Sequence, residues 1–158
     1  MRQIKRLIIV GPGGSGKDFL RKRLEKKGFR HSVSHTSRPK REGETDGKDY
    51  HYVDSNFFEN NKPLFYEIEI FNKWYYGTSL EEFDKSDLFV MTVKGVKSLN
   101  SEHRKESMVL YLNPPKDVII ERLKARKDAD NVWRRMEADD RDFSGFKDYD
   151  IEIKNPDF

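Results

Sequence analysis

Short apolar runs recur along the chain and are separated by polar, glycine-containing segments. Three of them are almost wholly apolar, which predicts buried strands: RLIIV at 6–10, LFVMTV at 88–93 and MVLYLN at 108–113. LFYEIEIF at 64–71 alternates apolar and polar residues, which predicts a strand with one face toward solvent. HSVS at 31–34 and YDIEI at 149–153 predict two further short strands.

Helical spacing appears between these runs. Phe19, Leu20 and Leu24 predict a helix over 17–27 that Gly28 ends. Pro115 opens a second predicted helix that runs through residue 126, and residues 131–142 form a third, heavily charged one. Strands that alternate with helices predict an α/β fold with a mainly parallel sheet. Residues 40–48 are polar and contain two glycines, which predicts a loop, and the section 44–77 carries its own strands and aromatic residues, so we interpret it as an inserted lobe.

Length and composition narrow the class of protein. A chain of 158 residues suits one domain, and the lack of cysteine excludes thiolate chemistry and cysteine-based zinc sites. The apolar runs are too short to span a membrane, and MRQIKRLIIV lacks the features of a signal peptide, so we expect a cytoplasmic protein. We expect a monomer or a homodimer.

The charge is uneven along the chain. Residues 1–50 contain 14 Lys and Arg against 6 Asp and Glu, a balance of +8. This end could attract phosphates or nucleic acid, although RKRLEKK at 21–27 is better interpreted as a solvated helix face. We therefore do not expect a nucleic-acid partner.

A glycine-rich loop follows the first strand. Gly11, Gly16 and Lys17 fit the pattern G-x-x-x-x-G-K between a strand and a helix, which is typical of a loop that binds the phosphates of ATP. Lys17 would reach the β- and γ-phosphates. The loop's other small residues let backbone N–H groups approach phosphate oxygens; they are Gly13, Gly14 and Ser15.

Asp18 stands where such loops usually carry a serine or threonine that holds magnesium. A carboxylate beside a triphosphate is repulsive unless a cation lies between them, and with Mg²⁺ present it is a suitable oxygen ligand. The alternative is that Asp18 only favours the helix N-terminus through its charge. We favour the metal role.

The stretch SVSHTSRPKREGETDGKDYHYV at 32–53 carries the most specific motif of the chain, and WYYGTS at 74–79 follows it. With these segments, and further similarity at VKGVKSL, RLKAR and YDIEIKN, nearly the whole chain resembles the guanylate kinases. The resemblance implies the P-loop nucleoside monophosphate kinase fold. We expect one domain over 1–158, with a core at 1–34 and 80–158, an inserted lobe that binds the monophosphate at about 35–79, and a short helical lid at about 126–141.

The resemblance also assigns roles to residues of that lobe. Arg38 and Arg41 are suited to bind the phosphate of the acceptor nucleotide through forked, charge-assisted hydrogen bonds. Tyr50 and Tyr76 match the family tyrosines that touch the same phosphate. Glu67 matches the glutamate that accepts from guanine N1–H and the 2-amino group, which adenine cannot donate.

Two further hydroxyls complete the expected base site, and one familiar motif is missing. Ser34 and Thr78 match the hydroxyls that face guanine O6. The family commonly shows D-x-D where this chain has Val90 and Thr92. Guanine selectivity would then depend more heavily on Glu67, while Thr92 either contacts the base, with a tolerance for other bases, or is a strand residue without a contact.

Phosphoryl transfer also needs positive charge around the moving group. By resemblance, Arg126 and Arg135 are the best candidates for lid arginines, Arg141 is the next, and Arg134 is an alternative to Arg135. On an exposed helix some of these arginines would instead pair with neighbouring carboxylates.

The leading hypothesis is Mg²⁺-dependent transfer of the ATP γ-phosphoryl group to GMP or dGMP. One alternative is a deoxynucleoside monophosphate kinase of wider base range, and a ribose bisphosphate phosphokinase is a less favoured relative. Another alternative is a non-catalytic guanylate-kinase-like domain that binds peptides, against which the retention of Lys17, Arg38, Arg41 and Glu67 argues.

Overall fold

The computed structural model describes residues 2–125, 132–155 and 157, which form two compact units. One unit contains the described residues up to Phe29 together with those from Leu88 onward. The second unit contains residues Arg30–Asp87. Among the described residues, no helix is both long enough and apolar enough to cross a bilayer.

The first unit is built on a four-stranded parallel sheet. Its strands, in chain order, are β1 (Arg6–Val10), β6 (Leu88–Val90), β7 (Ser107–Leu112) and β8 (Ile151–Ile153). They lie in the spatial order β6-β1-β7-β8, and all three pairings are parallel. Because the central β1 pairs on both sides, Ile8, Ile9 and Val10 are fully buried. The predicted parallel sheet is confirmed.

Helices follow the strands of this unit. They are α1 (Lys17–Lys26), α4 (Val93–Lys97), α5 (Ser101–Lys105), α6 (Lys116–Lys124) and α7 (Val132–Phe143). The apolar side chains of α1, Leu20 and Leu24, pack against a core of Ile9, Leu88 and Leu112. Gly28 follows α1 with a φ of +103°, a left-handed conformation that favours glycine and that ends the helix.

The second unit holds a smaller, mixed sheet. Its strands are β2 (His35–Thr36), β3 (His51–Tyr52), β4 (Phe65–Phe71) and β5 (Trp74–Ser79), in the spatial order β3-β2-β5-β4. Two short helices, α2 (Ser55–Asn60) and α3 (Leu80–Lys85), and a 3₁₀ turn at Lys62–Leu64 complete the unit. β4 and β5 form a hairpin whose turn places Asn72 and Lys73 at φ of 50° and 66°. Positive φ at both central residues matches the twist of the flanking strands.

Aromatic packing stabilises this small unit. Phe58 is fully buried and stacks on both Phe65 and Tyr75, with ring centroids 5.0 Å and 5.2 Å away. His35 stacks on Phe57 at 5.5 Å and meets the edge of Phe65 at 5.3 Å. Burial lowers the pKa of His35, and the neighbouring His51 lowers it further. His35 is therefore part of the packed aromatic cluster.

Two predicted strand boundaries are wrong. The strand predicted at 31–34 is displaced, because His31 forms only an isolated bridge and the paired residues are His35 and Thr36. The strand predicted at 88–93 ends at Val90, because the Thr92 hydroxyl accepts from the Gly95 N–H and thereby caps α4. The polar side chain of Thr92 thus starts a helix where the apolar run suggested a longer strand.

Gly77 in β5 offers a test of the packing in the second unit. A Cβ at this position would lie 2.8 Å from Phe65 Cδ1 and 3.0 Å from the Glu67 carbonyl oxygen. We expect Gly77→Ala to lower the free energy of unfolding by about 1–3 kcal/mol, the usual cost of overpacking. Urea unfolding measures this.

The matched variant is Gly77→Ala combined with Phe65→Leu. The smaller side chain at 65 relieves the closest of these contacts but not the one with the Glu67 carbonyl, so the double variant should lose less stability than the two single losses added together. Strict additivity would contradict the collision with the Phe65 ring.

Candidate functional site

The glycine-rich loop leaves the carboxyl end of β1 and leads into α1. Gly14 and Gly16 have φ of +79° and +97°, which few other residues adopt without strain. A Cβ on Gly11 would lie 2.9 Å from the carbonyl oxygen of Leu112 in β7, so only glycine fits between the loop and the sheet. Gly16 precedes α1 and has no side chain to cap it, which leaves the first N–H groups of α1 without a side-chain cap.

Polar groups of the loop contact the loop itself. The Lys17 ammonium donates to the Gly11 carbonyl at 2.6 Å, which curls the side chain back along the loop. Ser15 is fully buried, and its hydroxyl has no hydrogen-bond partner among the described residues. Its hydroxyl lies against Gly11, since a Cβ there would be 2.5 Å from Ser15 Oγ.

Helices α6 and α7 supply two further contacts to the loop. Arg122 of α6 donates to the carbonyl of Gly14 at 3.2 Å. Asp139 of α7 accepts from the backbone N–H of Gly13 at 3.1 Å. The sequence analysis placed neither residue at the loop: Arg122 belongs to the RLKAR segment, four positions before Arg126, and Asp139 is one of the carboxylates expected to pair with arginines on an exposed helix. The Asp139 contact shows that Gly13 N–H binds an anionic oxygen.

Asp18 lies at the start of α1 with its side chain 79% exposed. Its carboxylate accepts from Arg21 at 3.2 Å, and Arg21 also pairs with Glu25. Among the described residues no group of three or more carboxylate, histidine or cysteine side chains could enclose a metal ion. Asp18 is thus a single accessible carboxylate beside the loop.

The second unit gathers the predicted phosphate-binding residues around Arg38. The Arg38 guanidinium, itself 9% exposed, forms two parallel hydrogen bonds with Glu44, at 2.9 Å and 3.0 Å. It lies 5.4 Å from the centre of the Tyr50 ring, and the Tyr76 ring lies 6.1 Å from that of Tyr50. Arg41 joins the cluster through its backbone N–H, which donates to Glu44 at 2.7 Å.

The forked contact shifts both ionisation equilibria. Burial alone would raise the pKa of Glu44, but hydrogen bonds from Arg38 and from the Arg41 N–H outweigh it and lower the pKa to about 2. Burial alone would lower the pKa of Arg38, and the Glu44 carboxylate reverses that and raises it. Two oxygens of one anion already occupy the fork that Arg38 presents.

Two of the predicted base-reading residues are cross-strand partners. Glu67 in β4 is opposite Thr78 in β5, and the Thr78 hydroxyl donates to the Glu67 carboxylate at 3.1 Å. On the other side of β5, His35 is opposite Gly77, and Ser34 directly precedes β2, where its carbonyl accepts from the His51 N–H at 2.8 Å. Tyr76 and Thr78, two residues apart, project from the same face of β5.

The predicted lid residues are less well placed. Arg126 and the side chain of Arg135 lie outside the described part of the structure. Arg141 is exposed on α7, two residues after Asp139, and residues two apart on a helix do not share a face. The structure therefore does not bring Arg141 to the loop contact that Asp139 makes.

The chain is similar to known proteins in both sequence and fold. A family model described as guanylate kinase matches residues 3–158. A guanylate kinase of Legionella pneumophila (strain Paris) is 35% identical, over 96% of this chain and 78% of its own. One from Chlorobium luteolum is also 35% identical, over 82% and 72% of the two chains. In fold, the chain is similar to the crystal structure of guanylate kinase from Anaplasma phagocytophilum, with a TM-score of 0.71 and 22% identity, covering 99% of this chain and 79% of that one.

The Arg38–Glu44 pair predicts a pH dependence of stability. The pKa of Glu44 in the folded protein is about 2, below the ordinary value of 4.5, so its contribution is complete above about pH 4.5 and is lost as the pH falls toward 2. We expect Glu44→Gln to be less stable than the wild type at pH 7, and the difference to shrink toward pH 2. Urea unfolding at a series of pH values measures it.

Glu42→Gln is the control for this series. Glu42 is an exposed carboxylate two residues earlier in the same loop, and its substitution should leave the free energy of unfolding nearly unchanged at every pH. The free energies of unfolding of Glu44→Gln and of the wild type should not differ by the same amount at every pH. A constant difference from pH 7 to pH 2 would contradict a role for Glu44 ionisation.

Proposed function

The chain belongs to the guanylate kinase family, and we propose that it transfers the γ-phosphoryl group of ATP to GMP or dGMP with Mg²⁺. The observation that carries the proposal is the pairing of Glu67 with Thr78 across β4 and β5, in the same unit as the Arg38–Tyr50–Tyr76 cluster, with Ser34 directly before β2. It combines hydrogen-bonding groups complementary to a guanine edge with a cationic fork for a phosphate.

The glycine loop is the proposed donor site. Gly11, Gly13, Gly14, Ser15 and Gly16 would surround the ATP phosphates with backbone N–H groups, and the Gly13 N–H already holds an anionic oxygen. Lys17 has only to release the Gly11 carbonyl, to which it donates in this structure, in order to neutralise the β- and γ-phosphates.

The loop chemistry also fits Mg²⁺. Magnesium favours octahedral oxygen coordination; it usually keeps several waters and is bound by one or two protein carboxylates together with the phosphates of the substrate. Asp18 supplies one accessible carboxylate, which we propose as its protein ligand, directly or through water. The ion would neutralise the charge that develops on the phosphates during transfer.

The Arg38 cluster is the proposed site for the acceptor phosphate. Glu44 presents two carboxylate oxygens to the fork, much as a phosphate would, so Arg38 is held ready for a bidentate anion. Arg41, Tyr50 and Tyr76 would complete the shell around the acceptor.

Guanine would be read mainly by Glu67. Its carboxylate would accept from N1–H and the 2-amino group, while Thr78 and Ser34 face O6. Thr92 caps α4, which gives it a structural role beside the proposed contact with the base. This arrangement opposes adenine, whose N1 is itself an acceptor.

Positive charge from the lid would stabilise the moving phosphoryl group. We propose Arg126 and Arg135 for this role, with Arg141 next, Arg134 as the alternative to Arg135, and residues 126–141 as the lid. We further propose one cytoplasmic domain, monomeric or homodimeric, with its monophosphate-binding lobe at about 35–79 and only small-molecule partners.

The central experiment is an ADP-release assay with ATP, Mg²⁺ and a panel of nucleoside and deoxynucleoside monophosphates. We expect turnover with GMP and dGMP, and a loss of about 100-fold or more in kcat for Lys17→Met, the scale of removing one donor to the transition state. Lys22→Met, at an exposed position of α1, should retain wild-type turnover. The kinase proposal fails if no acceptor turns over, and the guanine assignment fails if TMP or dCMP is preferred.

A second variant tests base reading. Glu67→Gln replaces one acceptor oxygen by an NH₂ group that opposes the donors of guanine, so kcat/KM for GMP should fall by about 10- to 100-fold. The control is Glu81→Gln, since Glu81 is an exposed carboxylate on α3. An unchanged kcat/KM for GMP in Glu67→Gln would remove Glu67 from the base site.

A further inference from the structure

Helix α7 turns one stripe of side chains toward the loop end of the sheet. The stripe lines a cleft together with Pro12 of the loop and Tyr111 of β7. Its members follow the i, i+3, i+4, i+7 spacing of one helical face: Met136, Asp139, Asp140 and Phe143. Phe143 fixes the far end of the stripe, because its ring stacks on Tyr111 with centroids 5.2 Å apart and planes 6° apart.

The two carboxylates of this stripe have different partners. Asp140 is 57% exposed and pairs with Lys116 at 3.3 Å, at the rim. Asp139 is half-buried and accepts from the Gly13 N–H at 3.1 Å. A half-buried charge requires a compensating donor, and the loop supplies one that also belongs to its phosphate-binding surface.

A carboxylate oxygen and a phosphate oxygen are equivalent acceptors for a backbone N–H, and both groups are negatively charged. The Gly13 N–H cannot serve both at full strength, and like charges at this separation repel. We propose that Asp139 is an internal competitor of the donor nucleotide, which sets donor affinity by occupying the Gly13 N–H until a phosphate displaces it. The inference deepens the proposed function and rests on its assignment of the loop to ATP.

The size of the effect follows from the population of the competing state. If Asp139 holds the loop in about nine-tenths of the nucleotide-free molecules, the apparent dissociation constant for a phosphate ligand is about tenfold higher than the intrinsic one. A variant without the carboxylate should therefore bind with the intrinsic dissociation constant. In the wild type, renewed binding of Asp139 to the Gly13 N–H after transfer should favour the departure of ADP.

Calorimetry with the whole chain tests this without any need for turnover. The probes are inorganic tripolyphosphate, without Mg²⁺, and ADP with Mg²⁺. We expect Asp139→Ala to bind both about tenfold more tightly than the wild type. Asp139→Asn keeps an acceptor oxygen without the charge, so its affinity for each probe should lie between those of the wild type and Asp139→Ala. Asp140→Ala, which removes a neighbouring carboxylate from the same helix, should stay close to the wild type.

Several results would contradict the proposal that Asp139 competes with the donor nucleotide. Unchanged or weaker tripolyphosphate binding in both Asp139 variants would contradict competition. Weaker MgADP binding in these variants would also contradict it, because Asp139 would then help to bind the nucleotide. An equal gain in affinity in Asp140→Ala would show that the loss of any negative charge on this helix has the same effect, which would also contradict the proposal. A melting curve for each variant identifies any that fails to fold, and Asp139→Asn then carries the test. Because no acceptor is present, a failure of the kinase assay leaves this result standing.

Discussion

At the carboxyl end of β1 the loop backbone packs so closely against β7 and α6 that only glycine fits, and the rest of this unit depends on that constraint. Gly11 passes so close to β7 that a Cβ would meet the Leu112 carbonyl at 2.9 Å, and a Cβ on Gly14 would meet the Ile119 carbonyl of α6 at 3.1 Å. The parallel pairing of β1 with β6 and β7 fixes where the chain leaves the sheet. Sheet, loop and helix α6 therefore depend on the same few glycines.

Internal carboxylates occupy the proposed phosphate-binding groups in both units. Asp139 accepts from Gly13 of the loop, and Glu44 fills the fork of Arg38. A cationic or N–H-rich site without an anion carries unfavourable self-repulsion and unsatisfied donors, and an internal carboxylate relieves both. In the proposed function, a substrate phosphate would have to displace that carboxylate. The stability of the free protein and its affinity for substrate would then be set by the same contacts.

The sequence predicted the features that depend on local pattern. The apolar run at 6–10 indicated a buried strand, and the glycine pattern after it indicated a tight loop; the structure contains the strand and a loop with positive φ at Gly14 and Gly16. The order of strands and helices indicated the parallel sheet. The short helices α2, α3, α4 and α5 were missed, although each begins with a capping side chain that accepts from the backbone N–H three residues later: Asp54, Ser79, Thr92 and Asn100. At Thr92, the apolar run 88–93 led to the prediction of a strand, although its hydroxyl is a capping group that indicates the start of a helix.

Contacts between distant segments could not be predicted in the same way. Asp139 reaches Gly13 across 126 positions, and only the packing of α7 beside the loop reveals it. In the charged segment that contains it, Asp139 is indistinguishable by pattern from Asp140, which pairs with Lys116 instead. The pairing of Glu67 with Thr78 depends on an irregularity in the β4–β5 register between Phe65 and Glu67, which no periodicity signals.

β4 combines the residue proposed to recognise the base with an edge position in its sheet. β4 is the edge strand of its sheet, and its outer end exposes Ile70 and Phe71. An edge with unpaired backbone groups and exposed apolar side chains invites pairing with another chain, and charges along the strand oppose such pairing. Glu67 and Glu69 provide those charges. The carboxylate proposed to recognise guanine would therefore also help to oppose pairing of this edge with another chain, so evolution of a new base preference at position 67 would have to preserve a charge nearby.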